Sequence, residues 1–161
     1  MRKLLPFLIL FILIGCQSSS LPHPKAVITT AQGKTVKTYF AISLAEQEQG
    51  LSGIKEDQFA DNEGMLFYYS EGGIRQFWMP DTYFDLDLFY LDGNFRVLDI
   101  IRKLKHHQGR NQSHLIPRAR AVWSWHVLEM RADSPIAKEI QIGDQLKIEY
   151  SEELKKALPA L

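Results

Sequence analysis

The chain has 161 residues, and its 19 lysines and arginines balance its 19 aspartates and glutamates. This length suits one domain with a genuine core, and the lack of a basic excess argues against nucleic acid as a partner. The single cysteine, Cys16, excludes a framework of disulfides within the chain.

The N-terminus has the three-part layout of a secretory signal peptide. Arg2 and Lys3 give a positive start, residues 4–14 form an apolar run, and Gly15 stands before Cys16. The apolar run has 11 residues, whereas a helix needs about 20 to span a membrane. The run therefore fits the apolar region of a signal peptide better than a permanent transmembrane anchor.

The segment Leu13-Ile14-Gly15-Cys16 resembles the lipobox of bacterial lipoproteins. The resemblance implies a diacylglycerol on Cys16, cleavage before it and acylation of the new amino group, which together would anchor the chain in a membrane. Gln17 stands where an aspartate would favour retention in the inner membrane. In a Gram-negative source we therefore expect the periplasmic face of the outer membrane. An ordinary signal peptide with a chance cysteine is the alternative.

These features divide the chain into four parts. Residues 1–15 are the predicted signal peptide, and residues 16–26 are the lipidated cysteine with a flexible Ser/Pro-rich tether. Residues 27–150 form one predicted β domain, and residues 151–161 are a C-terminal tail with helical character. The mature chain would have 146 residues and a formal charge of about −2, from 17 basic and 19 acidic side chains.

The first predicted elements of the domain are a hairpin and a helix. Residues 36–42 alternate in polarity, which predicts a half-buried strand that pairs with residues 27–30. Ser43 and Glu46 form a capping box, so a short helix should follow and end near Gly50.

The middle of the domain contains further strand signals. The aromatic run 64–69 predicts a buried strand, and residues 74–79 predict another. Asp92-Gly93-Asn94 is a strong hairpin signal between the predicted strands 86–91 and 95–101.

The last third begins with a polar stretch, residues 103–114, which predicts a mobile loop. Residues 121–130 predict a long strand with two tryptophans on one face, for which core packing is favoured over an exposed binding platform. Asp133 or Ser134 should cap a helical turn that begins at Pro135, and a final strand follows a Gly-Asp turn. The whole pattern predicts a mainly β fold, a compact antiparallel sandwich or barrel with one or two short helices.

Several segments together resemble the bacterial and archaeal family called domain of unknown function 192. They are Gln49-Gly50-Leu51, Gly64-Met65-Leu66-Phe67, Phe77-Trp78-Met79-Pro80-Asp81-Thr82, Leu86-Asp87-Leu88-Phe89, Asp92-Gly93, Val127-Leu128-Glu129-Met130 and Gly143-Asp144. The resemblance covers about residues 36–148. It implies a compact, mainly β domain that is often exported, and it supplies no reaction. Ser52 departs from the methionine that is common there.

The candidate ligand-binding residues are Trp78, Asp81, Thr82, Asp87 and Glu129. If the three carboxylates converge beside Trp78, they form an acidic pocket with an aromatic wall. A sugar could stack on the indole, a hard cation could bind the oxygens, or two carboxyls about 5–9.5 Å apart could cleave a glycoside. Alternatively, Asp81 and Thr82 fix a turn while Asp87 and Glu129 satisfy buried backbone donors.

No catalytic or cofactor motif is recognisable. His106 and His107 lack the spacing of a zinc site, so we predict no metal, no cofactor and no catalytic residue. The leading hypothesis is a non-enzymatic ligand-binding or accessory domain, held at the membrane by the lipid on Cys16. The alternative is an envelope hydrolase that acts on a glycan with two of Asp81, Asp87 and Glu129 as acid and base.

Overall fold

The computed structural model describes residue 21 and residues 23–157, so the predicted signal peptide and Cys16 lie outside the described residues. In chain order the elements are β1 (Ala26–Thr29), β2 (Thr35–Ala41), α1 (Leu44–Gln49), a 3-10 turn (Glu56–Gln58), β3 (Glu63–Phe67), β4 (Gly73–Arg75), β5 (Leu86–Leu91), β6 (Val97–Leu104), β7 (Val122–Ser124), β8 (His126–Arg131), α2 (Pro135–Glu139), β9 (Lys147–Tyr150) and α3 (Glu152–Ala157).

Seven of these strands form one large sheet in the order β6-β5-β8-β3-β2-β1-β9, and β4 pairs with β7 in a small sheet. The prediction of a mainly β fold with short helices is confirmed. The large sheet is mixed, because β2 and β3 run parallel while its other strand pairs are antiparallel. The segment between β2 and β3 contains α1 and the 3-10 turn, which gives the long crossover that a parallel pair requires.

Several elements follow from local signals in the sequence. Glu46 accepts a hydrogen bond from the Ser43 backbone N at 2.8 Å, and the Ser43 hydroxyl accepts one from the Glu46 backbone N at 3.3 Å. This is the predicted capping box, and α1 ends at the predicted Gly50. Ser134 caps α2, and Pro135 is its first residue. These predictions hold because a cap depends only on residues within one helical turn.

The predicted long strand over 121–130 is two strands, separated at Trp125. The first, β7, belongs to the small sheet, where Trp123 lies opposite Ile74. Trp123 is 52% exposed, so its predicted packing in the core is wrong. Ser124 and His126, on the other face, are buried. The small sheet therefore presents large apolar side chains to solvent.

Two hydrophobic clusters cover the two faces of the large sheet. Because alternate residues of a strand point to opposite faces, β8 sends Leu128 and Met130 to one cluster and Val127 to the other. The first cluster includes residues of α2 and α3, so we call that face the helix side. The second lies under the loops around residues 50–59, 77–84 and 119–122, and we call it the loop side.

The helices of the described part of the chain are short. None of them is long and apolar enough to cross a membrane.

Candidate functional site

A cleft of about 320 Å³ opens on the loop side of the large sheet. One wall is α1 with the turn that follows it, residues 47–52, and the opposite wall is the segment 74–80. Phe67 of β3 and Glu129 of β8 also line it. Three predicted site residues therefore meet here, because Trp78 and Thr82 belong to the same lining.

Glu129 is the buried acid of the cleft. It pairs with Met65 of β3 and Leu88 of β5 in the middle of the large sheet. Its residue surface is only 4% exposed, and its carboxyl forms no hydrogen bond or ion pair with the described residues. Burial raises the pKa of this carboxyl to about 8. The neutral acid is therefore the main form near pH 7.

Two tyrosines lie within the electrostatic reach of Glu129. Burial raises the pKa of Tyr69 and of Tyr90, and the charge of Glu129 adds to both shifts. The Tyr90 hydroxyl is buried and has no hydrogen-bond partner among the described residues. Tyr90 does not line the cleft, so its unused hydroxyl belongs to the adjoining core and not to the cleft itself.

Arg75 is the cationic side chain of the cleft lining. Its guanidinium lies 3.6 Å from the centre of the Tyr69 ring and donates a hydrogen bond to the Glu71 carbonyl at 2.7 Å. Its Nε is buried without a partner in the part of the chain that the structure describes. Arg75 is therefore held by Tyr69 and Glu71 and forms no ion pair with Glu129.

The rim of the cleft combines large apolar side chains with exposed polar ones such as Glu48. Trp78 is 40% exposed, and Leu44 and Ile74 are more exposed still. The guanidinium of Arg118 lies 4.9 Å from the Trp78 ring centre. A concave surface that combines apolar side chains with a few polar groups is typical of small-molecule sites.

Asp81 and Thr82 hold a turn together. Thr82 donates to the Met79 carbonyl at 3.0 Å and accepts from the His107 backbone N at 3.1 Å. Asp81 has a positive φ of 52° and accepts from the Gly109 backbone N at 3.2 Å. The Asp81 side chain is not part of the cleft lining. These contacts match the alternative in which both residues fix a turn.

Asp87 lies on the helix side, away from the cleft. Its carboxylate pairs with Arg102 at 2.6 Å and accepts from the Lys103 backbone N at 2.8 Å. Arg102 also donates to the Ala137 carbonyl of α2 at 2.7 Å. The register of β5 and β8 places Leu88, rather than Asp87, opposite Glu129. The three predicted carboxylates therefore do not converge, which removes the geometric basis for a glycosidase pair of Asp87 and Glu129.

The alternative in which Asp87 and Glu129 both satisfy buried backbone donors holds only for Asp87. Asp87 accepts such a bond from Lys103, whereas Glu129 accepts none from the described residues. Two buried carboxyl groups on adjacent strands therefore differ in their hydrogen-bond partners. Asp87 stabilises the connection to α2, and the Glu129 carboxyl has no hydrogen-bond partner among the described residues.

The sequence analysis missed three contributors to the cleft: α1, Tyr69 and Arg75. No local motif marks them, because they come together only through the parallel β2–β3 pair and the small sheet. Leu44, an exposed apolar residue directly after the Ser43 cap, is the one sequence signal for an exposed apolar surface here.

The predicted mobile loop carries the two adjacent histidines. His106 Nδ1 lies 2.7 Å from an Asp85 carboxylate oxygen, and His107 Nε2 lies 3.4 Å from the Asn111 carbonyl. Lys105 also pairs with Asp85, at 2.7 Å. Within the described residues, no group of three or more His, Cys, Asp or Glu side chains is arranged to hold a metal ion.

The solved structures of two bacterial proteins are similar to this fold. A protein of Sinorhizobium meliloti 1021, described as a candidate transcription regulator, is 26% identical and has a TM-score of 0.62, with 80% of this chain and 95% of that chain covered. A protein of unknown function from Novosphingobium aromaticivorans DSM 12444 is 23% identical and has a TM-score of 0.60, with 76% and 83% covered. The second likeness shows the fold alone. The curated proteins contain no match.

The family comparison covers most of the chain. The family DUF192, described as "Uncharacterized ACR, COG1430", matches residues 27–148. This range includes every strand from β2 to β8, both walls of the cleft and Glu129. The chain belongs to the DUF192 family.

Proposed function

We propose that this protein is a lipid-anchored envelope protein that binds a small ligand in the Glu129 cleft without catalysing its reaction. The observation that carries this proposal is the unpartnered carboxyl of Glu129 in the cleft. Burying a polar group without a hydrogen bond costs free energy. A ligand that donates to Glu129 would recover part of that cost, which favours occupation of the cleft.

The shape of the cleft supports a small ligand. Its volume of about 320 Å³ lies at the lower end of the range typical of such sites, about 300–1,000 Å³. The exposed indole of Trp78 at the rim offers a flat apolar surface, on which a sugar or another ring could stack. A compact ligand with one ring and one hydrogen-bond donor fits these features.

Binding is favoured over hydrolysis because of where the carboxylates lie. Asp87 is on the opposite face of the sheet from Glu129, and it is committed to Arg102. Asp81 is committed to Gly109 and to the Tyr83 hydroxyl, which donates at 3.0 Å. Of the three carboxylates proposed as an acid and base, only Glu129 lines the cleft.

Binding in the cleft can be tested by ligand-observed NMR on the full-length protein with a set of small amines, alcohols and sugars. Compounds that bind should then be titrated against Trp78→Ala and Trp123→Ala. Trp123 is an exposed tryptophan outside the cleft lining, so it is the matched control. We expect loss of the Trp78 ring to weaken binding by about tenfold, in line with aromatic hot spots, and Trp123→Ala to have little effect. Equal effects of the two variants would contradict this site.

The lipid anchor rests on the lipobox-like segment that ends at Cys16. Globomycin, which blocks lipoprotein signal peptidase, should cause the uncleaved precursor to accumulate. Mass spectrometry should find a diacylglycerol on Cys16, and Cys16→Ser should release the protein from membranes. Processing that is insensitive to globomycin would refute the anchor and leave the cleft proposal standing. For a Gram-negative source we propose the periplasmic face of the outer membrane.

A further inference from the structure

We infer that the ligand of the cleft is a small primary amine, whose ammonium group pairs with Glu129 while its apolar part lies against Trp78 and the rim. This inference rests on the proposed binding function and names its ligand class. The first argument is the unused capacity of Glu129. The carboxyl is in the cleft lining, it is almost fully buried, and no described residue pairs with it.

The second argument is that an ammonium group matches Glu129 better than a hydroxyl does. A hydroxyl donates one hydrogen bond and carries no charge. An ammonium group has three donors and a full positive charge, and hydrogen bonds between ionised partners are about twice as strong as neutral ones. The ammonium group therefore supplies both the bonds and the charge that Glu129 lacks.

The third argument is that the cation of the cleft lining, Arg75, does not pair with Glu129. Arg75 lies over Tyr69 at 3.6 Å and is bonded to the Glu71 carbonyl at 2.7 Å. Burial is the cause of the raised pKa of Glu129, with no cation lowering it. Glu129 thus has no cationic partner in the described part of the chain, and a ligand can supply one.

The fourth argument is the aromatic lining around this position. Phe67 and Phe77 line the cleft and meet edge to face, with ring centres 4.7 Å apart. Tyr69 and Trp78 complete the lining, and each already accepts a guanidinium over its ring. Aromatic faces attract cations. The same rings also accommodate the apolar part of an aromatic or aliphatic amine.

Binding of an amine at Glu129 should release a proton to the buffer. The free acid at Glu129 must lose its proton to the buffer, and the resulting carboxylate then pairs with the ammonium form of the ligand. Because burial raises the pKa of Glu129 to about 8, close to one proton should be released per ligand at pH 7. A neutral alcohol or sugar that bonds to the protonated carboxyl should release none.

The test uses isothermal titration calorimetry of the full-length protein at pH 7, in two buffers with different ionisation enthalpies. The probes are 2-phenylethylamine and 2-phenylethanol, which share one skeleton, and methyl β-D-glucoside. We expect the amine to bind at least about tenfold more tightly than the alcohol, as for hydrogen bonds to charged groups, with release of close to one proton.

Two variants locate the effect. Glu129→Gln keeps the shape of the side chain. It should weaken binding of the amine by about tenfold or more. The affinity for the alcohol should change by less than about twofold. Glu149→Gln is the matched control, because Glu149 is an exposed carboxylate of β9 that lies outside the cleft lining. Screening by water should leave its effect on amine binding small.

The outcomes separate this inference from the binding function itself. If the alcohol or the glucoside binds as tightly as the amine, the ligand class is wrong and the cleft remains a binding site. If the amine binds without releasing a proton, the inferred pairing with a protonated Glu129 is wrong. If the amine does not bind, the inference fails. If no compound of the wider screen binds in the cleft either, the proposed function fails with it.

Discussion

Replacement of Glu129 by glutamine should change how the stability of the protein depends on pH. In the folded protein, burial raises the pKa of this carboxyl to about 8, from an ordinary value of 4.5. The glutamine side chain has nearly the same shape as the neutral glutamic acid, and it does not titrate. A comparison of the two proteins therefore isolates the contribution of one proton.

The direction of the change in unfolding free energy follows from which state, folded or unfolded, keeps the proton. Between pH 4.5 and about 8, the folded protein keeps the proton on Glu129 while the unfolded chain loses it. The free energy of unfolding of the wild type therefore falls as pH rises, relative to Glu129→Gln, by about 1.4 kcal/mol per pH unit. Over the whole window this amounts to roughly 3–5 kcal/mol. Below pH 4.5 and above about 8 the difference is constant.

The assay is urea denaturation of both full-length proteins at half-unit steps from pH 4 to pH 9, with the difference in unfolding free energy plotted against pH. His126 acts in the opposite direction below pH 6.5, because burial lowers its pKa to about 4, but its effect is common to both proteins and cancels. A difference that stays constant with pH would show that Glu129 titrates normally, and it would refute the description of an isolated buried carboxyl.

Three further changes test other parts of the structure. Asp87→Asn should lower the free energy of unfolding by about 2 kcal/mol, since Arg102 loses its buried partner; thermal melting at pH 7 measures this, and an unchanged melting temperature would contradict the pairing. The imidazole of His126 should titrate near pH 4 by NMR, and protonation should destabilise the protein as pH falls from 6.5; a normal titration would contradict its burial. Gly64→Ala should cost about 1–3 kcal/mol, because its Cβ would lie 2.9 Å from Leu128 Cδ1; an equally stable variant would mean that β3 and β8 pack less closely.

Local signals in the sequence were enough to predict most of the elements. The Ser43–Glu46 capping box, the Asp92-Gly93-Asn94 turn and the Ser134 cap each depend on a few neighbouring residues, and each is present. The parallel pairing of β2 with β3 depends on where a 21-residue crossover returns. Packing across the sheet decides which strand β3 pairs with, and no local sequence pattern indicates it.

The site was only partly predictable for the same reason. Trp78 and Glu129 were singled out by residue type, and the structure brings both to the cleft. Asp87 was singled out on equal grounds, but the register of β5 against β8 decides which side chain reaches which face. Leu88 is opposite Glu129, so Asp87 points to the helix side. Trp123 is exposed because β7 turns Val122 and Ser124 inward, which leaves Trp123 on the outer face.

The most direct test of the central claim is a ¹³C NMR titration of the Glu129 side-chain carboxyl, with and without 2-phenylethylamine. The account predicts a pKa of about 8 in the free protein and a clear decrease when the amine is bound, because the ammonium group stabilises the carboxylate. A Glu129 carboxyl that titrates near 4.5 and does not respond to the amine would contradict the account.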